Sequence, residues 1–105
     1  AAIFVAKTKE GMAGYLIFYY VLEEGEIARI ATAHSVRRQG AASQMFRKLL
    51  DFCREQKITR IMLEVRENNE AARQFYGKCG FTKDGIRRNY YENPKENAVL
   101  MSVNL

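Results

Sequence analysis

Ala33-His34-Ser35-Val36-Arg37-Arg38-Gln39-Gly40-Ala41-Ala42-Ser43 is the stretch that organises this chain. A run with strand character ends ahead of it at Thr32, and an amphipathic helix opens at about Gly40. The first turn of a helix carries N–H groups with no intrahelical acceptor. Small residues at Gly40, Ala41 and Ala42 let a phosphate approach them, and Arg37 and Arg38 add charge-assisted contacts from outside. An ordinary basic loop before an ordinary helix reads equally well from these residues alone. The run is neither a Walker loop nor the dinucleotide glycine fingerprint.

The helix runs from about Gly40 to Gln56. Met45, Leu49, Phe52 and Cys53 share one face, widened by Phe46 and Leu50, while Arg47, Lys48, Asp51, Arg54 and Glu55 mostly take the solvent side. Upstream, Ile3–Lys7 and Ala13–Leu22 have the branched and aromatic composition of strands. Glu23–Glu26 reads as a turn, and Ile27–Thr32 as a third strand of an antiparallel meander. Strict alternation would put Ile27 and Arg29 on one face, Ala28 and Ile30 on the other.

Downstream, Ile58–Val65 is a strand, and its short link to the helix suits a crossover to a parallel neighbour. Asn68-Asn69 offers a cap for a second helix, Glu70–Cys79, with Ala72, Phe75, Tyr76 and Cys79 along one stripe. Gly80 is a good stop, Phe81 starts an extended segment, Asn93-Pro94 signals a turn, and Ala98–Leu105 is a last strand. This order predicts an α/β sheet domain (α+β by some schemes) with helices on at least one face.

The chain has 105 residues, enough for one domain spanning 1–105. Its formal charge of +5 favours an anionic partner. The basic residues are scattered, so a dedicated nucleic-acid-binding function is not favoured. No apolar run is long enough for a membrane span and no signal segment opens the chain, so the expectation is a cytoplasmic protein without a membrane partner. Cys53 and Cys79 form no CxxC pair, and with a single histidine they make no typical zinc site, so no metal is expected. Both thiols read as buried.

The motifs resemble a known family. Arg37-Arg38-Gln39-Gly40-Ala41-Ala42 matches the acetyl-coenzyme A signature R/Q-x-x-G-x-G/A of the GCN5-related N-acetyltransferases. Leu63-Glu64-Val65-Arg66-Glu67-Asn68-Asn69-Glu70-Ala71-Ala72 is similar to the LEVR-x-SN-x-x-A segment of the bacterial ribosomal-protein-alanine N-acetyltransferases within it. Phe75-Tyr76-Gly77-Lys78-Cys79-Gly80-Phe81 resembles their LY-x-x-x-GF segment. Ile86-Arg87-Arg88-Asn89-Tyr90-Tyr91, then Glu96-Asn97-Ala98-Val99-Leu100-Met101, is similar to their RRNYY…EDA-x-x-M ending.

The resemblance implies a mixed, V-shaped sheet whose parallel strands, here near residues 30 and 60, splay apart at a bulge. It implies acetyl-coenzyme A as acetyl donor, with its pyrophosphate on Gln39 to Ala42 beside Arg37 and Arg38. The pantetheine arm would run along Ile30, Ala31 and Thr32, with Asn69 and Tyr76 close to it. The acceptor would be a protein N-terminal α-amine, with alanine of a ribosomal protein favoured. The alternatives are a small-amine or lysine acetyltransferase, or a non-catalytic coenzyme A-binding or interaction module.

Glu64 is the counterpart of the family's general base. It lies between Leu63 and Val65, where burial would raise its proton affinity; a solvated strand glutamate or a partner for Arg66 reads equally from local sequence. Tyr76 is the counterpart of the general acid at the departing thiolate, although a tyrosine on an apolar helix stripe is ordinarily core. Direct attack in a ternary complex needs no acyl-cysteine intermediate. Arg87, Arg88, Tyr90 and Tyr91 are expected along the acceptor groove, with a pure surface role for Arg87 and Arg88 left open.

The match has departures. His34 stands where relatives have proline and is assigned no catalytic role, and Ala42 replaces the commoner glycine. Relatives carry a further strand and two helices before the segment matching Ile3, so the expectation is an N-terminally incomplete acetyltransferase domain with exposed apolar surface that could dimerise.

Overall fold

A computed structural model describes residues 1–9, 11–32 and 40–105. The elements follow the order β1 (Ala2–Thr8), β2 (Gly11–Val21), β3 (Glu24–Thr32), α1 (Ala41–Gln56), β4 (Arg60–Arg66), α2 (Glu70–Lys78), β5 (Thr82–Tyr91) and β6 (Glu96–Asn104). The chain divides into two compact units, Ala1–Thr59 and Arg60–Leu105. No helix among the described residues is long and apolar enough to cross a membrane.

In the first unit, β1, β2 and β3 form the expected antiparallel meander. Leu16 and Phe18 are fully buried, as are Met45, Leu49 and Cys53 of α1. Phe52 meets the Phe4, Phe18 and Tyr20 rings at centroid separations of 5.5, 6.5 and 5.3 Å. Each such large apolar side chain contributes about 1.5–3 kcal/mol on full burial. β1 lies at a sheet edge, and α1 satisfies its outward groups: Lys48 Nζ donates to Val5 O at 2.7 Å, and Lys7 N–H donates to Gln44 Oε1 at 3.1 Å. Covering an edge in this way removes a template for stray strand pairing. The opposite face of β1 presents Ile3, 66% exposed.

Two details of the meander differ from the sequence reading. The turn is Leu22-Glu23, with Leu22 at φ 55°, and β3 has begun by Glu24 rather than after Glu26. The strict alternation expected for β3 is also broken. Ile17 pairs with Arg29 and Phe18 with Ile27, so Ala28 is an extra residue, a bulge. Residues directly opposite share a face. Ile27 therefore lies with Phe18 and Ile30 with Leu16, both on the core side, while Arg29 turns to the other side. A regular strand would have driven the Arg29 guanidinium into the core, at a desolvation cost no apolar neighbour repays.

The second unit pairs β4 with β6 and β6 with β5, all antiparallel. β4 alternates cleanly: Ile61, Leu63 and Val65 are buried, and Met62, Glu64 and Arg66 take the other face. In α2, Asn69 Oδ1 accepts from the Ala72 N–H at 3.2 Å, the expected cap. The helix ends at Lys78 with Cys79 as its C-cap, and Gly80 at φ 97° turns the chain. β5 pairs with β6 with a first register shift at Asp84, then regularly from Gly85–Leu100 through Arg87–Ala98, and resumes at Tyr91–Glu96, leaving Arg88, Asn89 and Tyr90 against Asn97 alone. Asn89, at φ 52°, sits inside this irregularity, and its N–H donates to Asn97 Oδ1 at 2.9 Å.

Candidate functional site

Within residues 1–59, the candidate phosphate site is the start of α1. Gly40 occupies the N-cap in the left-handed region, φ 77° and ψ 19°, where a Cβ is unfavourable. It supplies no capping side chain, and no acidic residue occupies the first turn. The Gly40 carbonyl accepts the first helical bond from Gln44 N–H at 2.9 Å. The N–H groups ahead of Gln44 have no intrahelical carbonyl to reach, as at any helix start. A Cβ built on Gly40 would meet nothing within 4 Å among the described residues. Ala41 is buried and Ala42 half-buried. The donor set suits a diphosphate. Arg37, Arg38 and Gln39, the other residues expected here, lie outside the described residues, as does His34. Ile30, Ala31 and Thr32 of β3 pair with Leu16, Tyr15 and Gly14 of β2.

Within residues 60–105, β4 and β5 bring Glu64, Arg87, Tyr90 and Tyr91 together, while α2 carries Asn69 and Tyr76. The sequence reading placed Glu64 in an apolar setting between Leu63 and Val65. The alternation of β4 corrects this, since both neighbours point to the opposite face. The Glu64 side chain is 21% exposed, and its Oε1 lies 3.3 Å from Arg87 Nη2. Its setting is a charged one, and its partner is Arg87 of β5 rather than Arg66 of its own strand.

Tyr76 is 5% exposed, with its ring 5.6 Å from that of Phe81. Burial pushes its phenol up to about 12, and the neighbouring Cys79 and Tyr91 add to the effect. Tyr91 is also raised, first by burial and then by the negative charge of Glu64.

The acceptor-side candidates are ordered by cation–ring contacts. The Arg87 guanidinium carbon lies 4.8 Å from the Tyr90 ring centroid, and that of Arg66 lies 4.3 Å from Tyr91. The two rings meet edge-on at 5.0 Å. Arg88 is exposed and sits in the irregular part of β5. Asn69, expected near the cofactor arm, uses Oδ1 to cap α2.

Sequence reasoning gave no role to Glu96, which anchors this cluster. Its Oε1 pairs with Arg66 Nη1 at 3.1 Å, and its Oε2 accepts from Asn68 N–H at 2.6 Å. Arg66 also donates to the carbonyls of Glu92 and Pro94 at 3.3 Å each. Asn97 Nδ2 donates to Glu67 Oε1 at 3.3 Å. The available signal was the polar pair Glu96-Asn97 opening a mostly apolar strand.

Cys53 and Cys79 are free thiols; Cys53 is buried as expected but Cys79, at the C-cap of α2, is only half-buried, and burial pushes Cys53 up to about 11 and raises Cys79. Among the described residues no group of three or more His, Cys, Asp or Glu side chains could hold a metal.

Comparison with known proteins places these features. A Haemophilus influenzae ribosomal protein bS18-alanine N-acetyltransferase is 37% identical over 95 residues, covering 88% of this chain and 64% of that protein. The crystal structure of the ribosomal-protein-S18-alanine N-acetyltransferase from Escherichia coli superposes with a TM-score of 0.86 at 32% identity, covering 93% of this chain and 64% of that one. A Bacillus anthracis protein, solved in complex with acetyl coenzyme A, superposes with a TM-score of 0.87 at 25% identity, covering 98% of this chain and 61% of that one. The chain thus spans less than two thirds of the length of each. The profile of the acetyltransferase (GNAT) family matches residues 1–81, more than half of the sequence. With its six strands, two helices and glycine-opened α1, the chain belongs to the acetyltransferase (GNAT) family.

Proposed function

We propose that this chain is an enzyme transferring an acetyl group from acetyl-coenzyme A to the N-terminal α-amine of a protein, with alanine at the start of a ribosomal protein as the favoured acceptor. The observation that carries the reading is the Glu64 carboxylate, partly exposed on β4 and paired with Arg87, in a unit that also holds the buried phenol of Tyr76. The relatives' activity toward ribosomal protein S18 supplies the acceptor class.

When bound, acetyl-coenzyme A supplies the acetyl thioester. The first turn of α1 offers N–H donors to its diphosphate, and Arg37, Arg38 and Gln39 complete that motif in the sequence. Ile30 to Thr32, Asn69 and Tyr76 are assigned to the pantetheine arm.

An acceptor α-ammonium ionises near ~8, so its proton is far easier to remove than that of a lysine near ~10.4. Glu64 takes that proton, directly or through one water. Tyr76 remains protonated through the neutral range, because burial holds its phenol near 12. An alkyl thiol ionises near ~8.5, so a phenol this weakly acidic serves the sulfur first as a hydrogen-bond donor. Its hydrogen bond stabilises charge as it develops, while complete proton transfer to the finished thiolate is uphill. Arg88, Tyr90 and Tyr91 offer flat apolar and cationic contact to an extended peptide.

The test incubates the chain with acetyl-coenzyme A and peptides bearing free or blocked N-termini, and locates the acetyl group by mass spectrometry. Acetyl on the α-amine supports the reading. Acetyl on lysine or on small amines alone replaces it with the corresponding transferase, and calorimetric binding of coenzyme A without turnover replaces it with a binding module. Glu64→Gln retains coenzyme A binding and loses rate at neutral pH.

A further inference from the structure

Arg87 stands out among the acceptor-side residues because its guanidinium is committed inside the cluster. Nη2 is 3.3 Å from Glu64 Oε1, and the guanidinium carbon rests 4.8 Å above the centre of the Tyr90 ring. Its backbone is also fixed: Arg87 is the last residue of β5 in regular register, opposite Ala98, before the irregularity at 88–90. Tyr90 in turn meets Tyr91, which carries Arg66, which is held by Glu96 and by the Glu92 and Pro94 carbonyls. A chain of cations and rings therefore runs from Glu96 to Glu64, and Arg87 is its last link.

The pair is not built for stability. Arg87 is 54% exposed and Glu64 21% exposed, and an exposed ion pair contributes little to folding. The contact engages one carboxylate oxygen, Oε1. A carboxylate at a strand position can rotate about its side-chain torsions; a guanidinium on one oxygen restricts that rotation and fixes where the other oxygen points. A base needs this orientation, because proton transfer requires heavy atoms about 2.6–3.2 Å apart.

We propose that Arg87 is a positioning residue for proton abstraction: by holding Glu64 Oε1 it aims the remaining oxygen of that carboxylate at the acceptor amine or its bridging water. Tyr90 supports it through its ring face rather than its hydroxyl. The proposal rests on the acetyl-transfer reading, in which Glu64 is the base. Arg87 then acts through Glu64 and has no independent effect on coenzyme A binding.

The experiment is a double-mutant cycle on the full chain with acetyl-coenzyme A and an N-terminal-alanine peptide. Arg87→Ala is expected to lower kcat roughly tenfold, with the KM for acetyl-coenzyme A and the thermal melting curve unchanged. Arg87→Lys, which keeps a point charge but not the fork, recovers part of the loss, and guanidinium ion added to the Arg87→Ala assay recovers part as well. Tyr90→Ala lowers kcat in the same direction as Arg87→Ala, and its further effect shrinks in the Arg87→Ala background. In a Glu64→Gln background, Arg87→Ala produces no further loss.

A wild-type kcat in Arg87→Ala, or an undiminished effect of Arg87→Ala without Glu64, overturns the proposal while leaving the acetyl-transfer reading intact. A wild-type chain that acetylates no α-amine overturns that reading, and the proposal with it.

Discussion

Glu96 Oε2 accepts a 2.6 Å hydrogen bond from the backbone N–H of Asn68, one residue before the asparagine that caps α2. A carboxylate at the start of β6 is thus fastened to the entry of the helix that carries Tyr76. With Arg66 on its other oxygen, it ties three elements of the second unit together.

The pH dependence of that tie has a definite sign. The Asn68 N–H holds the Glu96 carboxyl below the usual carboxylate range; burial opposes it, and Arg66 adds further lowering. A depressed folded-state value gives stability that is fully present above the unfolded value and lost as pH falls through the folded one. Urea unfolding of the wild type and Glu96→Gln should show the variant less stable at neutral pH. The gap should close below the usual carboxylate range; one that persists unchanged into strong acid would contradict the assignment.

Tyr76 has the opposite sign. Its phenol is raised to about 12, so the folded state resists ionisation; this contribution is fully present below the unfolded value near ~10 and is lost as pH rises towards 12. In an ultraviolet difference titration the last phenolate step should belong to this residue and vanish in Tyr76→Phe. The same variant should fold and bind coenzyme A, yet release the thiol product more slowly. A Tyr76→Phe enzyme as fast as the wild type would remove the phenol from the chemistry.

Gly25 is set against the ring of Phe18, and a Cβ there collides with that fully buried side chain. Gly25→Ala should destabilise the first unit by about 1–3 kcal/mol, the usual cost of overpacking. The midpoint of chemical unfolding reads this directly, and an unchanged midpoint means that Phe18 has room to move.

Gly40 differs in kind. A Cβ there meets nothing among the described residues, and the left-handed backbone makes the cost of Gly40→Ala conformational, about 1–2 kcal/mol. Asparagine tolerates that region better than alanine. Gly40→Asn should therefore melt above Gly40→Ala, and the reverse order would point to a steric cause.

The elements were legible where one strong local signal decided them. The spacing of Met45, Leu49 and Cys53 gave α1, Asn69 gave the cap of α2, and Gly80 gave its end. The β3 faces were misread because alternation assumes an unbroken register, and the residue that breaks it, Ala28, is featureless by itself. Glu64 was singled out through its motif, but its surroundings were misread. Residues adjacent in a strand point to opposite faces, so Leu63 and Val65 say nothing about the setting of Glu64. Its real partner is 23 positions away on β5, a pairing fixed only by tertiary structure. Glu96 and Arg66, separated by 30 positions, went unremarked for the same reason.

The bulge at Ala28 makes β3 two strands of opposite parity spliced at one residue. Before the splice, odd-numbered positions such as Ile27 face inward; after it, even-numbered ones such as Ile30 do. Arg29 keeps the splice from being skipped, because a flush register would bury its charge. Ile30 and Thr32, assigned to the thioester arm, thus take their facing from two residues with no assigned contact to it. Replacing Arg29 with leucine would leave every assigned contact residue in place while making the two parities nearly equal in energy. A loss of coenzyme A affinity in that variant would be a fault of counting rather than of contact.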